Sequence, residues 1–292
     1  MTEIEVAVVG GSGLYDVGGL EDVEEHRVKT PFGDPSDLIT VGSLNGIKIA
    51  FLPRHGRGHT LSPSEVPYKA NIYALKVLGV RYIIGVSACG SLREDYEPGH
   101  IVIPNQLVDF TKGKRESTFF GGGLVAHVAV AHPFSTRFNQ ALYGAVRQTG
   151  AVVHNGGVFV TIEGPRFSTR GEANLFRQWG MSIVGMTTSP EAFLAAEAEI
   201  AYSVMAHVTD YDVWHETTAS VSVEMVVKTL SANTHLAQEA IVKLLENYDE
   251  WAGNFPEHHN LADALSLVND WGEIPDNLKS DLAPIIGKYI ID

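Results

Sequence analysis

Short apolar runs alternate along this chain with loops rich in glycine, hydroxyl and charged residues. Val6–Val9, Ile47–Leu52, Tyr82–Val86, His100–Pro104, Val158–Ile162, Ile183–Met186 and Ala201–Val208 have the length and composition of buried strands and are predicted as such. A different period appears between them. Phe134, Phe138, Leu142 and Ala145 recur every three or four residues, as do Leu175, Phe176 and Trp179, which places an apolar stripe on each of two helices. Val223, Val226, Leu230, Leu236, Ile241 and Leu244 form a longer stripe and predict a helix over about 220–247. Strands alternating with helices, with no Ser/Gly linker, repeat or low-complexity stretch, predict a single α/β domain over 1–292. It would hold a mixed, twisted β-sheet flanked by helices. The stretch from about 249 to 292 changes character: with Trp251, Trp271, prolines and several acids, it reads as a helical C-terminal appendage packed over the domain.

Composition narrows the class of partner. Hydrophobic residues make up 45% of the chain and charged residues 19%, enough for a sizeable core and unlike a disordered chain. A formal net charge of −14 argues against the phosphate backbone of a nucleic acid as partner, although a few local Arg and N–H groups can still bind a small anion. No apolar run reaches the roughly 18–20 residues of a membrane span, and no signal-like segment precedes Ile4–Val9. Cys89 is the only cysteine, so no intrachain disulfide forms; a cytoplasmic location is expected.

Ligands of open α/β sheets collect at the carboxyl ends of strands, so the residues that follow each apolar run carry the candidate chemistry. Gly10-Gly11-Ser12-Gly13 follows the first run and is either an anion loop or a plain turn. It lacks the third glycine of a dinucleotide fingerprint and the Gly-Lys-Ser/Thr of a Walker loop. Arg54-His55-Gly56-Arg57-Gly58-His59 follows the second and suits bidentate phosphate recognition, the alternative being a solvated basic loop. His55 and His59 have the spacing of metal ligands on a helix, which Gly56 and Gly58 oppose. Ser87-Ala88-Cys89-Gly90-Ser91 reads as a hydroxyl-rich turn, with Cys89 a small buried residue rather than a nucleophile. After Met186 come Thr187 and Thr188, then Ser189, expected to cap a helix that Pro190 opens. Ala201–Val208 ends in Thr209-Asp210-Tyr211-Asp212, where spacing two in extended chain puts both carboxylates on one side. Four of these ends suit a phosphate and one supplies acids.

The segments Gly10–Leu14, Pro31–Ser36, Arg54–Arg57, Ala88–Arg93, Glu163–Arg170 and Met186–Thr188 resemble, in order, those of the trimeric purine nucleoside phosphorylase family, in its 5′-methylthioadenosine phosphorylase branch. The similarity runs from about Val6 to about Leu244, and Glu163-Gly164-Pro165-Arg166-Phe167-Ser168-Thr169-Arg170 is its most specific part. The resemblance implies a nucleoside phosphorylase-like fold and phosphorolysis, in which phosphate attacks the anomeric carbon of a purine nucleoside and frees the base. The expected reaction yields adenine and 5-methylthioribose 1-phosphate from 5′-methylthioadenosine, with inorganic phosphate as co-substrate, no metal or organic cofactor, and a homotrimer or hexamer as the assembly. By the same resemblance, Ser12, Arg54, His55, Ser87, Ala88 (through its backbone) and Thr187 would surround the phosphate. Phe167, Ser168 and Met186 would pack on the nucleoside, and His127, Val223 and Val226 would help form the 5′ pocket. Asp210 and Asp212 would face N7 and the 6-amino group.

Elementary chemistry supports that division. Departure of the base builds positive charge on the ribose and negative charge on the purine; a held phosphate stabilises the first and a proton on N7 the second. A carboxylate also accepts from a 6-amino group and repels a 6-oxo group, so the acid pair favours adenine. Two other readings compete. One is a purine nucleoside phosphorylase acting on inosine, guanosine, adenosine or methylthioinosine; the other is a non-catalytic nucleoside-binding protein, which has no use for Arg54, Thr187 and Asp210 together. Ser12 and Ser87 stand where many relatives carry Thr, and either hydroxyl serves a phosphate.

Overall fold

The computed structural model describes residues 4–11, 14, 17–111, 113–215, 223–266, 268 and 270–290, with the side chains of 223–233 outside the description. In chain order the strands are β1 (Val6–Gly10), β2 (Glu21–His26), β3 (Ile39–Leu44), β4 (Ile47–Pro53), β5 (Tyr82–Ser91), β6 (Ile101–Ile103), β7 (Gln106–Phe110), β8 (Val153–Asn155), β9 (Val158–Ile162), β10 (Ile183–Gly185) and β11 (Ala201–Asp210). The longer helices are α1 (Tyr68–Val77), α2 (Thr136–Gln148), α3 (Arg170–Gln178), α4 (Thr188–Glu197) and α5 (Val223–Glu246). Every predicted strand and helix is present.

The strands form one mixed sheet in the order β2-β3-β4-β1-β5-β10-β9-β7, and β11 joins β5 as a branch that continues to β6 and β8. All residues of β1 and of β11 are buried, as expected of strands covered on both faces. The expected strands were read from such runs. The strands that the pattern did not reveal, β2, β3, β7 and β8, lie outside this centre. β2 is the clearest case. Its sequence EDVEEH is largely exposed, and its charges suit an edge strand that must not pair with another chain.

β4, β1, β5 and β11 run parallel in adjacent positions, so their carboxyl ends share one edge. β10 is different. It runs antiparallel to β5 and pairs only with its last residues, Ile183 with Ser91 and Val184 with Gly90. Its carboxyl end therefore reaches the same place by doubling back. A Cβ on Gly185 would lie 2.6 Å from the Phe159 ring and 3.4 Å from Ala88 O, so this close approach requires glycine.

Two local expectations are corrected. Ser87–Ser91 is not a turn: the segment continues β5, because β11 pairs alongside as far as Gly90 and β10 takes up Gly90 and Ser91. Ser189 has the extended backbone of a helix-start residue just before Pro190, yet its buried hydroxyl makes no hydrogen bond, so no side-chain cap forms there.

Beyond α5 lie α6 (Tyr248–Trp251), α7 (Leu261–Ala264), α8 (Asp276–Asp281) and α9 (Ala283–Ile286), short helices that give the C-terminal segment the helical character expected of it. Buried Glu199 fastens it: one carboxylate oxygen accepts from Leu261 N at 3.0 Å and from the Tyr289 hydroxyl, and the other lies 2.6 Å from Lys288 Nζ. Among the described residues no helix is long and apolar enough to cross a membrane.

Candidate active site

Arg54 follows β4, and its backbone N–H donates to Gly10 O at the end of β1 at 2.9 Å. Its side chain is only 3% exposed. Nε and Nη2 donate to the two carboxylate oxygens of Glu191 at 2.7 and 2.8 Å, while Nη1 donates to Val86 O and Nη2 to Val9 O, both at 2.9 Å. Four of the five guanidinium protons are thereby used within the protein. Tyr202 on β11 completes the pair by donating to Glu191 Oε1 at 2.7 Å. Burial alone would lower the Arg54 pKa, but the Glu191 carboxylate outweighs it and holds Arg54 charged. Glu191 and Tyr202 were invisible as partners in sequence, where one stood in a helix start and the other in an apolar run.

Beside this ion pair, Ser87 Oγ on β5 and Thr187 Oγ1 at the start of α4 lie 3.2 Å apart, both buried. Ala88 is the next residue of β5, aligned with His207 of β11. His55 Nδ1 lies 2.8 Å from Leu61 O. A carbonyl only accepts, so Nδ1 carries the proton. Burial, with adjacent Arg54 second, pushes the His55 pKa down to about 4, which leaves a neutral ring with Nε2 as acceptor. Gly56 and Gly58 have φ of 71° and 80° and break the helix that a metal-binding His pair would need; the His55 and His59 rings instead stack at 4.3 Å. Ser12 lies outside the described residues.

The acid pair stands at the end of β11. Asp210 Oδ2 accepts from Thr209 Oγ1 at 2.6 Å and Oδ1 from Asp212 N at 2.7 Å. Asp212 is not in extended chain: its φ of 50° places it in a turn after the strand, and it is this turn that folds its N–H onto Asp210. The two carboxyls still converge. A Cβ on Gly90 would lie 3.1 Å from Asp210 Oδ1 and 3.2 Å from Asp212 Cβ, so glycine there makes room for both. Burial raises the Asp210 pKa, against the two hydrogen bonds that favour its anion. Burial, and to a lesser degree the Asp210 charge, raises Asp212 to about 6, against the neighbouring Ser168 hydroxyl. Ser168 Oγ and Asp212 Oδ2 are nonetheless buried without a well-formed hydrogen bond inside the protein, and so are free to meet a polar ligand.

The loop carrying Phe167 and Ser168 is held at its far end. Thr169 caps α3, accepting from Glu172 N at 3.2 Å while Glu172 Oε2 accepts from Thr169 N at 2.8 Å. Arg166 grips the same Glu172 with two bonds of 2.7 Å. At its near end Gly164 (φ 68°) presses on Met186: a Cβ there would lie 2.6 Å from Met186 Sδ. Phe167 stays 37% exposed and Ser168 is buried. Asp210, Asp212 and Ser168 thus form one group, and Arg54, Ser87 and Thr187 a second, joined through β5 and the Met186–Thr187 peptide.

His127 is elsewhere. It is exposed, its backbone N–H donates to Ala264 O at 3.2 Å, and it borders a cavity of about 490 Å³ with Phe120, Leu124, Val125 and Phe193. No described contact links it to the acid pair. Val223 begins α5 and Val226 follows in it, but their side chains lie outside the description.

Residues 5–246 match the family model of the phosphorylase superfamily. The S-methyl-5′-thioadenosine phosphorylase of Chloroflexus aurantiacus is 53% identical over 99% of each chain, and that of Geobacter sulfurreducens is 48% identical over 98% of this chain and 99% of its own. Among solved structures, a methylthioadenosine phosphorylase from an Antarctic soil metagenomic library superposes with a TM-score of 0.92 at 43% identity, covering 98% of this chain and 99% of its own. The methylthioadenosine phosphorylase of Schistosoma mansoni in complex with adenine gives 0.78 at 34% identity over 98% of each chain.

Proposed function

Because this chain belongs to the phosphorylase superfamily, we propose that it cleaves 5′-methylthioadenosine with inorganic phosphate, releasing adenine and 5-methylthioribose 1-phosphate. The observation that carries this reading is the buried pair Asp210 and Asp212, whose pKa values burial raises, with a charged Arg54 and the Ser87 and Thr187 hydroxyls close by.

Phosphate is held by the two hydroxyls, by the remaining guanidinium proton of Arg54, by backbone at Ala88 and by Ser12. Neutral His55 offers Nε2 to a protonated phosphate oxygen, so it orients the nucleophile without adding positive charge. Cationic character grows on the ribose as the glycosidic bond stretches, and the adjacent phosphate oxygens stabilise it. Negative charge grows on the purine at the same time. Asp210, whose pKa burial raises, delivers a proton to N7, and Asp212 accepts from the 6-amino group with help from Ser168. Met186 and Phe167 pack on the ribose and the base.

The reading needs phosphate as co-substrate and no metal or organic cofactor. It places the protein in cytoplasmic methionine and purine salvage as a homotrimer. Exposed His127, with Val125 at 56% and Val130 at 38% exposure beside the cavity, forms an apolar face suited to a neighbouring subunit, and His127, Val223 and Val226 would help form a 5′ pocket.

Phosphate-dependent release of free base from methylthioadenosine, adenosine, inosine and methylthioinosine, run in parallel, tests the assignment. Adenine release from methylthioadenosine in clear preference to the rest is expected. Preference for a 6-oxo nucleoside would overturn the roles of Asp210 and Asp212, and binding without turnover would overturn catalysis altogether.

A further inference from the structure

Arg115, in the segment after β7, belongs to no motif of the sequence. Its side chain is 3% exposed, and it gathers acceptors from three separate parts of the chain. Nη1 donates to Met186 O and Ser189 O, both at 2.7 Å, and reaches the Tyr68 hydroxyl at 3.1 Å. Nη2 donates to Glu163 O at 2.7 Å, and Nε lies 3.3 Å from Glu163 Oε1. None of these bonds touches the acid pair or the Ser87–Thr187 hydroxyls. What they bind is the backbone that carries both groups. Met186 and Ser189 bracket Thr187 and Thr188, while Glu163 opens the loop that carries Phe167 and Ser168.

The surroundings reinforce the junction. Ser64 Oγ donates to Glu163 Oε1 at 2.5 Å, and Tyr68, the first residue of α1, donates to Pro63 O at 2.8 Å, so the 63–68 stretch is drawn to the same point. Gly164 lies between Met186 and Pro63: a Cβ there would be 2.6 Å from Met186 Sδ and 3.3 Å from Pro63 Cγ. The two loops leave the paired strands β9 and β10, whose register ends at Thr161 and Gly185, and beyond that pairing one planar, five-donor group bonds to both. A trans peptide keeps its C=O and N–H antiparallel, so fixing Met186 O on Arg115 also fixes the direction of the Thr187 N–H.

We propose that Arg115 is a positioning residue for the phosphorolysis assigned above, on which this inference rests. It sets the Met186–Ser189 turn against the Glu163–Phe167 loop, and so fixes the phosphate hydroxyl of Thr187 relative to the nucleoside wall. A lysine preserves the charge and loses the planar fork, and so cannot serve carbonyls on both loops.

The test is the steady-state kinetics of Arg115→Lys with methylthioadenosine and phosphate varied independently, alongside the melting temperature. The expected result is a rise of about tenfold in the KM of both substrates and a fall in kcat of roughly 10–100-fold, the cost of displacing bound groups by about an ångström. A role confined to stability would lower kcat only by the unfolded fraction and leave both KM values at wild type; that outcome overturns the proposal. So would a change confined to one substrate. Arg115→Ala adds a second readout, because millimolar ethylguanidinium should restore both KM values together. If the wild type released no base from any nucleoside, the functional reading would fail by itself. Calorimetric titration of wild type and Arg115→Lys with adenine and with phosphate then decides the clamp: both affinities falling about tenfold supports it, and unchanged affinities overturn it.

Discussion

The two halves of the site handle buried charge in opposite ways. On the side proposed for phosphate, Arg54 and Glu191 are both almost fully buried, yet every carboxylate oxygen and four of the five guanidinium protons have partners, and Arg54 stays charged. On the side proposed for the base, Asp210 and Asp212 are buried with no cation beside them among the described residues, and desolvation drives them toward the protonated form. One half therefore offers a held cation; the other offers carboxyls that burial makes readier to keep a proton. A reaction that binds an anion and protonates a leaving group needs one half of each kind.

The largest effect should come from unbalancing the fixed half. Glu191→Ala leaves Arg54 buried and unpaired, which should cost about 3–5 kcal/mol in urea unfolding. Saturating phosphate should return part of that loss, since an anion bound at Arg54 replaces the missing charge. No recovery with phosphate would mean that Arg54 does not face the phosphate. Next comes the proton-holding half. Asp210→Asn retains shape and loses the acid, so kcat for methylthioadenosine should fall at least about a hundredfold while phosphate affinity stays near wild type. Near-normal turnover would remove Asp210 as the donor.

A finer probe lies one residue earlier. The Thr209 hydroxyl stabilises the Asp210 anion at 2.6 Å, so Thr209→Val should raise the acid's pKa and move the basic limb of the kcat/KM profile upward by about one pH unit. A downward shift would contradict the placement of the proton. The smallest effect belongs to His55. Its folded pKa, about 4, lies below the ordinary value of 6.5, so between those values the unfolded chain binds the extra proton and stability falls as pH falls. His55→Gln should lack this term, its acid loss between pH 6.5 and 4 being smaller by roughly 1 kcal/mol, allowing for His55's partial exposure. Identical acid profiles would show that His55 is not held neutral.

Much of the fold was legible in sequence, and so was which candidate residues stand at the strand ends. The central strands β1, β4, β5 and β11 are near-continuous apolar runs, and burial on both faces leaves a sequence no other choice. What the pattern missed sits at margins: β2 carries edge charges instead of an apolar run, β8 is three residues long, and α1 follows Pro67, which offers no side-chain cap. The residues expected around phosphate and base were found by their position after strands and by family resemblance, and those described fall into two adjacent groups. His127, expected in the 5′ pocket, does not join them in the single chain.

The sequence alone determined which chemical groups stand at the strand ends, because a buried strand must finish in a loop and the loop residues are written next to it. It also determined the family, through the Glu163–Arg170 segment and its companions. Only the tertiary structure decided what those groups are: that Arg54 is held by Glu191, 137 positions later; that Asp212 turns back onto Asp210; that β10 reaches the site by running against β5; and that Arg115 fastens the two loops. The reason is physical. Charge state and direction depend on desolvation and on partners distant in the chain, and neither is set until the backbone has closed around them.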